Sequence, residues 1–185
     1  MTRRRLLLDM DEVLVDFIQG ACEAHGVTRK YLETRRPFGA WSIQGPLGLN
    51  EDQFWVPINA MGAKFWEDLN SLPWADELLA VAEKLFPSEW YLCSAPSKCI
   101  HSYTGKVTWI KNKLGTDFDR FFISPHKELL AGPGKILLDD RESNVRAFRE
   151  NRGLGVVFPS KGNSFYYSAN DPMPTVTAEL EACVR

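Results

Sequence analysis

Short apolar runs that stop abruptly at polar residues recur along the chain. Leu6-Leu7-Leu8 ends at Asp9-Met10-Asp11, Trp90-Tyr91-Leu92-Cys93 ends at Ser94, Phe121-Phe122-Ile123 precedes His126-Lys127, and Ile136-Leu137-Leu138 ends at Asp139-Asp140. Continuous apolar runs of this length read as strands buried on both faces of a parallel sheet. Between them apolar residues return at helical spacing: Val13, Phe17 and Ala21, with Ile18 and Cys22 beside them, over 13–25; Leu78, Leu79, Ala82 and Leu85 after Pro73; Val107, Ile110 and Leu114 over 103–114; and Val145 with Phe148. Gly26, Pro87, Gly115 and Gly153 stand where these helices should stop. A further strand is expected at Val156-Val157-Phe158 and a last helix over 176–183. The alternation predicts an α/β fold, a doubly wound, Rossmann-like parallel sheet with right-handed crossovers.

Residues 27–72 break the rhythm. Prolines at 37, 46 and 57, glycines at 39, 45, 48 and 62 and tryptophans at 41, 55 and 66 predict short helical pieces, a small helical cap inserted after the first strand. The expected division is a core of 1–17 and 73–185 and a cap of 18–72. The cap aromatics either line a pocket or form a small core of their own. No repeat, heptad or low-complexity tract is present.

At 185 residues the chain is long enough to bury roughly 70% of its unfolded surface. A net charge of −2 and a pI near 6.0 argue against binding a nucleic-acid polymer by neutralising phosphates over a broad surface. Cys22, Cys93, Cys99 and Cys183 form no CxxC pair and no zinc-ligand spacing, so they read as buried or half-buried thiols in a reducing compartment. Three leucines after Arg3-Arg4-Arg5 fall short of a signal-peptide core, and no apolar stretch approaches the ~18 residues of a membrane span. A cytoplasmic protein is expected.

Acids at the carboxyl ends of strands change the picture from fold to chemistry. Asp9 and Asp11 would meet at the sheet edge where open α/β folds bind ligands, and unpaired they would repel one another. A hard divalent cation, most simply Mg²⁺, fits such oxygens while keeping waters and a phosphate in its shell. Asp139-Asp140 repeats the arrangement. Adjacent strand residues point to opposite sides, so one of that pair should bind metal directly and the other act through water or orient a neighbour such as Lys127. Acids, a hydroxyl, a lysine and acids in this order are the parts of phosphoryl transfer through an aspartyl phosphate.

Asp9-Met10-Asp11, Ser94, Lys127 and Asp139-Asp140 resemble the four motifs of the haloacid dehalogenase superfamily of phosphatases. Within it the chain is most similar to the 5'(3')-deoxyribonucleotidases, whose first motif runs on through an aspartate and a phenylalanine as Asp16 and Phe17 do. Ser94-Ala95-Pro96-Ser97-Lys98, Gly105-Lys106, Trp109 and Leu114-Gly115 extend the resemblance. It implies that Asp9 attacks phosphorus and binds metal, that Asp11 protonates the leaving oxygen, later activates water, and lends its backbone carbonyl to the metal, and that Asp140 rather than Asp139 is the direct ligand. Ser94, Ala95 and Lys127 would hold the phosphate, with Lys98 and Lys106 second to them, and Phe17 would stack on a base. One departure stands out: many relatives carry glycine after the second aspartate, and this chain has Glu12, which implies a different local backbone or a side chain directed to solvent or to the cap.

The implied partner is a small phosphomonoester, a nucleoside monophosphate first, with no nucleic-acid polymer, no membrane, and a homodimer as candidate assembly. Three other readings stay open: a phosphatase for another phosphometabolite, a receiver-like phospho-acceptor, and a nucleotide-binding module without turnover. His101 and His126 are assigned no catalytic role.

Overall fold

The computed structural model describes residues 3–185; the first two residues of the expected core segment lie outside them. Five parallel strands form one sheet in the order β3-β2-β1-β4-β5, with β1 Arg5–Leu8, β2 Trp90–Ser94, β3 Phe121–Ile123, β4 Lys135–Asp139 and β5 Leu154–Val157. The register sets Leu6, Leu7 and Leu8 opposite Trp90, Tyr91 and Leu92 on one side and opposite Ile136, Leu137 and Leu138 on the other. Period-two alternation then divides the side chains between two layers. Leu6, Leu8, Leu92, Ile136 and Leu138 enter the main apolar cluster, while Leu7, Cys93 and Leu137 meet Phe148 on the opposite face. Chain order runs outward from β1 to β3, then returns to β4 and β5, so the crevice between the ends of β1 and β4 is the switch point at which doubly wound sheets bind ligands.

The helices are α1 Phe17–Ala24, α2 Arg29–Glu33, α3 Glu51–Ala60, α4 Ala63–Glu67, α5 Ala75–Leu85, α6 Ile100–Leu114, α7 Glu142–Glu150 and α8 Met173–Val184. The first starts four residues later than the apolar spacing suggests. The amide groups of Val13, Leu14 and Val15 all donate to the Met10 carbonyl, folding 10–15 into a turn, and Asp16 then caps α1 by accepting from the Gln19 N–H. Helix α6 begins before the expected Tyr103, and α8 before Val176. Strand β5 starts earlier, at Leu154, and stops at Val157.

The segment 17–67 is helical in short pieces, and its buried Leu32, Phe54, Ile58, Phe65 and Trp66 join the same cluster as the sheet residues Leu8 and Leu92. One continuous core therefore holds these helices against the sheet. Helices α4 and α6 approach closely where Gly105 leaves room for the Ala63 carbonyl and for Trp66. All four cysteines are free thiols, and among the described residues no helix is long and apolar enough to cross a membrane.

Candidate active site

Asp9 leaves the end of β1 with its amide bonded to the Leu138 carbonyl, so the two acid-bearing strand ends are locked side by side. Its carboxylate is nearly buried, and Lys127 Nζ lies 2.6 Å from Oδ1. The same ammonium is 2.6 Å from Asp139 Oδ2. Burial works to discharge Lys127, but Asp9 and Asp139 outweigh it and hold its pKa well above the ordinary lysine value. Asp139 is completely committed: Oδ1 accepts the Arg141 N–H at 2.9 Å, and Oδ2 accepts Asn144 Nδ2 at 3.0 Å as well as Lys127. Asp140, one residue on, lies just past the end of β4. Its buried carboxylate makes no hydrogen bond to any described residue and faces the pocket.

Crowding of acids shows in their proton affinities. Burial pushes Asp9 up to about 7, opposed by Lys127 and reinforced by Asp139 and Asp11. Burial, then Asp139 and Asp9, raise Asp140 well above the usual carboxylate range. One oxygen each from Asp9, Asp139 and Asp140 lie within 4.8 Å of one another. With Asp139 engaged by three donors, Asp9 and Asp140 offer the uncommitted oxygens. Two buried, hard, mutually repelling carboxylates fit a divalent cation, which would neutralise them and polarise a phosphoryl oxygen.

Asp11 and Ser94 are joined by Lys106. This lysine projects from α6, is 1% exposed, and places Nζ 2.6 Å from Asp11 Oδ2, 2.8 Å from Ser94 Oγ and 4.8 Å from the centre of the Trp66 ring. Asp11 Oδ1 is buried and has no hydrogen-bond partner among the described residues. Ala95 lies at the pocket wall just past Ser94. Lys98 has a side chain that is 94% exposed, with its ammonium 3.3 Å from Glu51, while Lys106 takes the buried place. The sequence alone put Lys98 and Lys106 in the same second rank and did not single out Asn144. The available signal was phase, since Lys106 shares the buried face of α6 with Ser102 and Trp109.

Glu12 adopts φ 58°, the left-handed region, and turns inward. Its Oε1 accepts the Ile18 N–H at 2.8 Å, and burial raises its carboxyl to about 7 against the pull of Arg29. Above the acids opens a pocket of about 290 Å³, close to the lower end of the ~300–1,000 Å³ usual for small-molecule sites. Phe17, stacked on Trp66 at 5.6 Å, forms one wall with Trp55 and Phe54. The loop after β5 closes the other side, held by Asn163, whose Nδ2 donates to the carbonyls of Asp140 and Phe158.

This is a haloacid dehalogenase fold, and the resemblance carried by the four motifs is met in the architecture that brings them together. Similar structures include a haloacid dehalogenase-like hydrolase of Streptococcus pneumoniae (TM-score 0.60, 20% identity, 97% of this chain and 100% of that one). A haloacid dehalogenase-like protein of Agrobacterium tumefaciens (TM-score 0.57, 13% identity, 97% and 100%) and a family hydrolase of Deinococcus radiodurans with bound phosphate and sodium (TM-score 0.54, 14% identity, 97% and 96%) share it too. In sequence the chain is similar to the human cytosolic-type 5'(3')-deoxyribonucleotidase, 29% identical over an alignment 149 residues long that covers 75% of this chain and 71% of that protein. No family model matches the chain.

Proposed function

We propose that this protein is a Mg²⁺-dependent phosphomonoester hydrolase that works through an aspartyl phosphate on Asp9 and takes nucleoside monophosphates, deoxyribonucleotides first. The observation that carries the reading is the Asp9 carboxylate, pinned by Lys127 on one oxygen and opening with the unbonded Asp140 into an aromatic pocket. Asp9 and Asp140 would hold the cation, which when bound would supply charge neutralisation and Lewis-acid polarisation of the phosphoryl group. An Asp9 oxygen forms a bond to phosphorus while the ester P–O bond breaks. The leaving oxygen takes its proton from Asp11, which lines the pocket beside Asp9. Asp11 then removes a proton from water as that water bonds to phosphorus and the Asp9–phosphorus bond breaks, releasing inorganic phosphate and restoring both acids. Lys127 and Lys106 neutralise the non-transferred oxygens and hold the two carboxylates in place.

The nucleotide preference is supported by the wall of Phe17, Trp55 and Trp66, on which a base would stack, and by the likeness to the human deoxyribonucleotidase. The helices between β1 and α5 supply that wall and serve as the cap. A receiver-like role is disfavoured by strand order, since receivers use 2-1-3-4-5 and β1 here lies between β2 and β4. Phosphate release from a panel of nucleoside and deoxynucleoside monophosphates and sugar phosphates tests the reading, with Mg²⁺ or with EDTA. Release from deoxynucleotides that EDTA abolishes is expected; release from sugar phosphates alone would move the substrate, and no release from any member would end the reading.

A further inference from the structure

Glu12 occupies a backbone conformation that costs an ordinary side chain free energy, at a position where glycine would be free of strain. Its side chain is 14% exposed and has two attachments: Oε1 accepts the Ile18 N–H at 2.8 Å, and Oε2 lies 3.7 Å from Arg29 Nη2. Arg29 in turn pairs with Asp16 and, at 3.0 Å, with Glu33. Glu12 and Asp16 thus satisfy two of the free amides at the start of α1, and one guanidinium ties both acids to α2. The Glu12 N–H donates to the Val15 carbonyl at 2.8 Å, closing the turn that follows Asp11. The neighbouring Asp11 meets Lys106 on its other side, and Phe17, which opens α1, forms part of the pocket wall.

We infer that Glu12 is a positioning residue: through Ile18 and Arg29 it fastens α1 and α2 to the turn that carries Asp11, so that the aromatic wall and the proton-transferring carboxyl are held in one fixed relation. The inference rests on the role given to Asp11 above and adds the residue that sets where Asp11 stands against the bound leaving group. A strut that only supported the fold would affect all substrates alike. Displacement of Asp11 instead harms substrates in proportion to their need for a proton on the leaving oxygen.

The test compares the parent, Glu12→Gln and Glu12→Gly, with Mg²⁺, on a deoxynucleoside monophosphate and on p-nitrophenyl phosphate, whose leaving group departs without protonation. Glycine suits the backbone at this position, so Glu12→Gly is expected to fold, as circular dichroism will show. Its kcat/KM for the nucleotide should fall on the order of 10- to 100-fold while that for p-nitrophenyl phosphate changes less than about threefold. Glu12→Gln, which keeps the acceptor for Ile18, should recover most of the loss. Equal losses on both substrates, or no loss on either, would overturn the inference. Amide exchange of the same variants gives a readout independent of turnover: Glu12→Gly should speed exchange at Ile18 and in α2 together. Unchanged exchange in α2 overturns the tie even if the parent hydrolyses nothing, an outcome that would by itself refute the proposed activity.

Discussion

Gly105→Ala sets two well-known effects against each other, and the structure decides the sign. In a helix interior alanine is favoured over glycine by about 1 kcal/mol, so α6 considered alone would gain. In the folded protein the added Cβ would lie 2.3 Å from the Ala63 carbonyl oxygen and 2.6 Å from Trp66 Cβ. Ordinary contact begins near 3.4 Å, so α4 and α6 must separate by about 1 Å, and neither obstacle is the free end of a flexible chain. Overpacking of this kind costs ~1–3 kcal/mol, and here it presses on backbone, so we take the upper part of that range. The net expectation is a destabilisation of ~1–2 kcal/mol in urea unfolding. Because Lys106 follows Gly105 and spans Asp11 and Ser94, turnover should fall along with stability. A variant as stable as the parent or more so would refute the account of how α6 is seated.

Lys106→Met leaves the Asp11 carboxylate without its cation; since Asp11 is 30% exposed, the loss should be ~2 kcal/mol rather than the ~3–5 kcal/mol of a fully buried pair, with kcat down on the order of 100-fold, whereas Lys98→Ala should change neither the unfolding midpoint nor the steady-state rate. In EDTA the protein should lose stability as pH rises from about 4.5 to 7: Asp9 and Glu12, both raised to about 7 by burial, bind more protons folded than unfolded over that window, so the slope is negative, on the order of 1 kcal/mol per pH unit in denaturant titrations, and Mg²⁺ should stabilise far more at pH 8 than at pH 5.5.

Much of this arrangement was legible in the chain because it depends on short-range pattern. Three aliphatics followed by acids fix both a buried strand and the edge to which it delivers charge. What escaped depends on distance in sequence. Lys98 and Lys106 look alike locally, and only the turn after Pro96 and the face of α6 against α4 decide which is buried. The start of α1 shifted because a turn onto the Met10 carbonyl competes with the helix that apolar spacing favours. The inward course of Glu12 required Arg29, which sits on a different helix, and nothing near residue 12 announces that partner.

The proposed turnover depends most on Asp9 carrying the phosphoryl group. Rapid quenching during turnover of a deoxynucleoside monophosphate with Mg²⁺, followed by borohydride reduction and peptide mass spectrometry, tests this directly. The reduced product of an aspartyl phosphate should map to residue 9 and be absent from Asp9→Asn, whose turnover should fall by at least ~10³-fold. Modification at another residue, or an Asp9→Asn variant that turns over at the parent's rate, would contradict it.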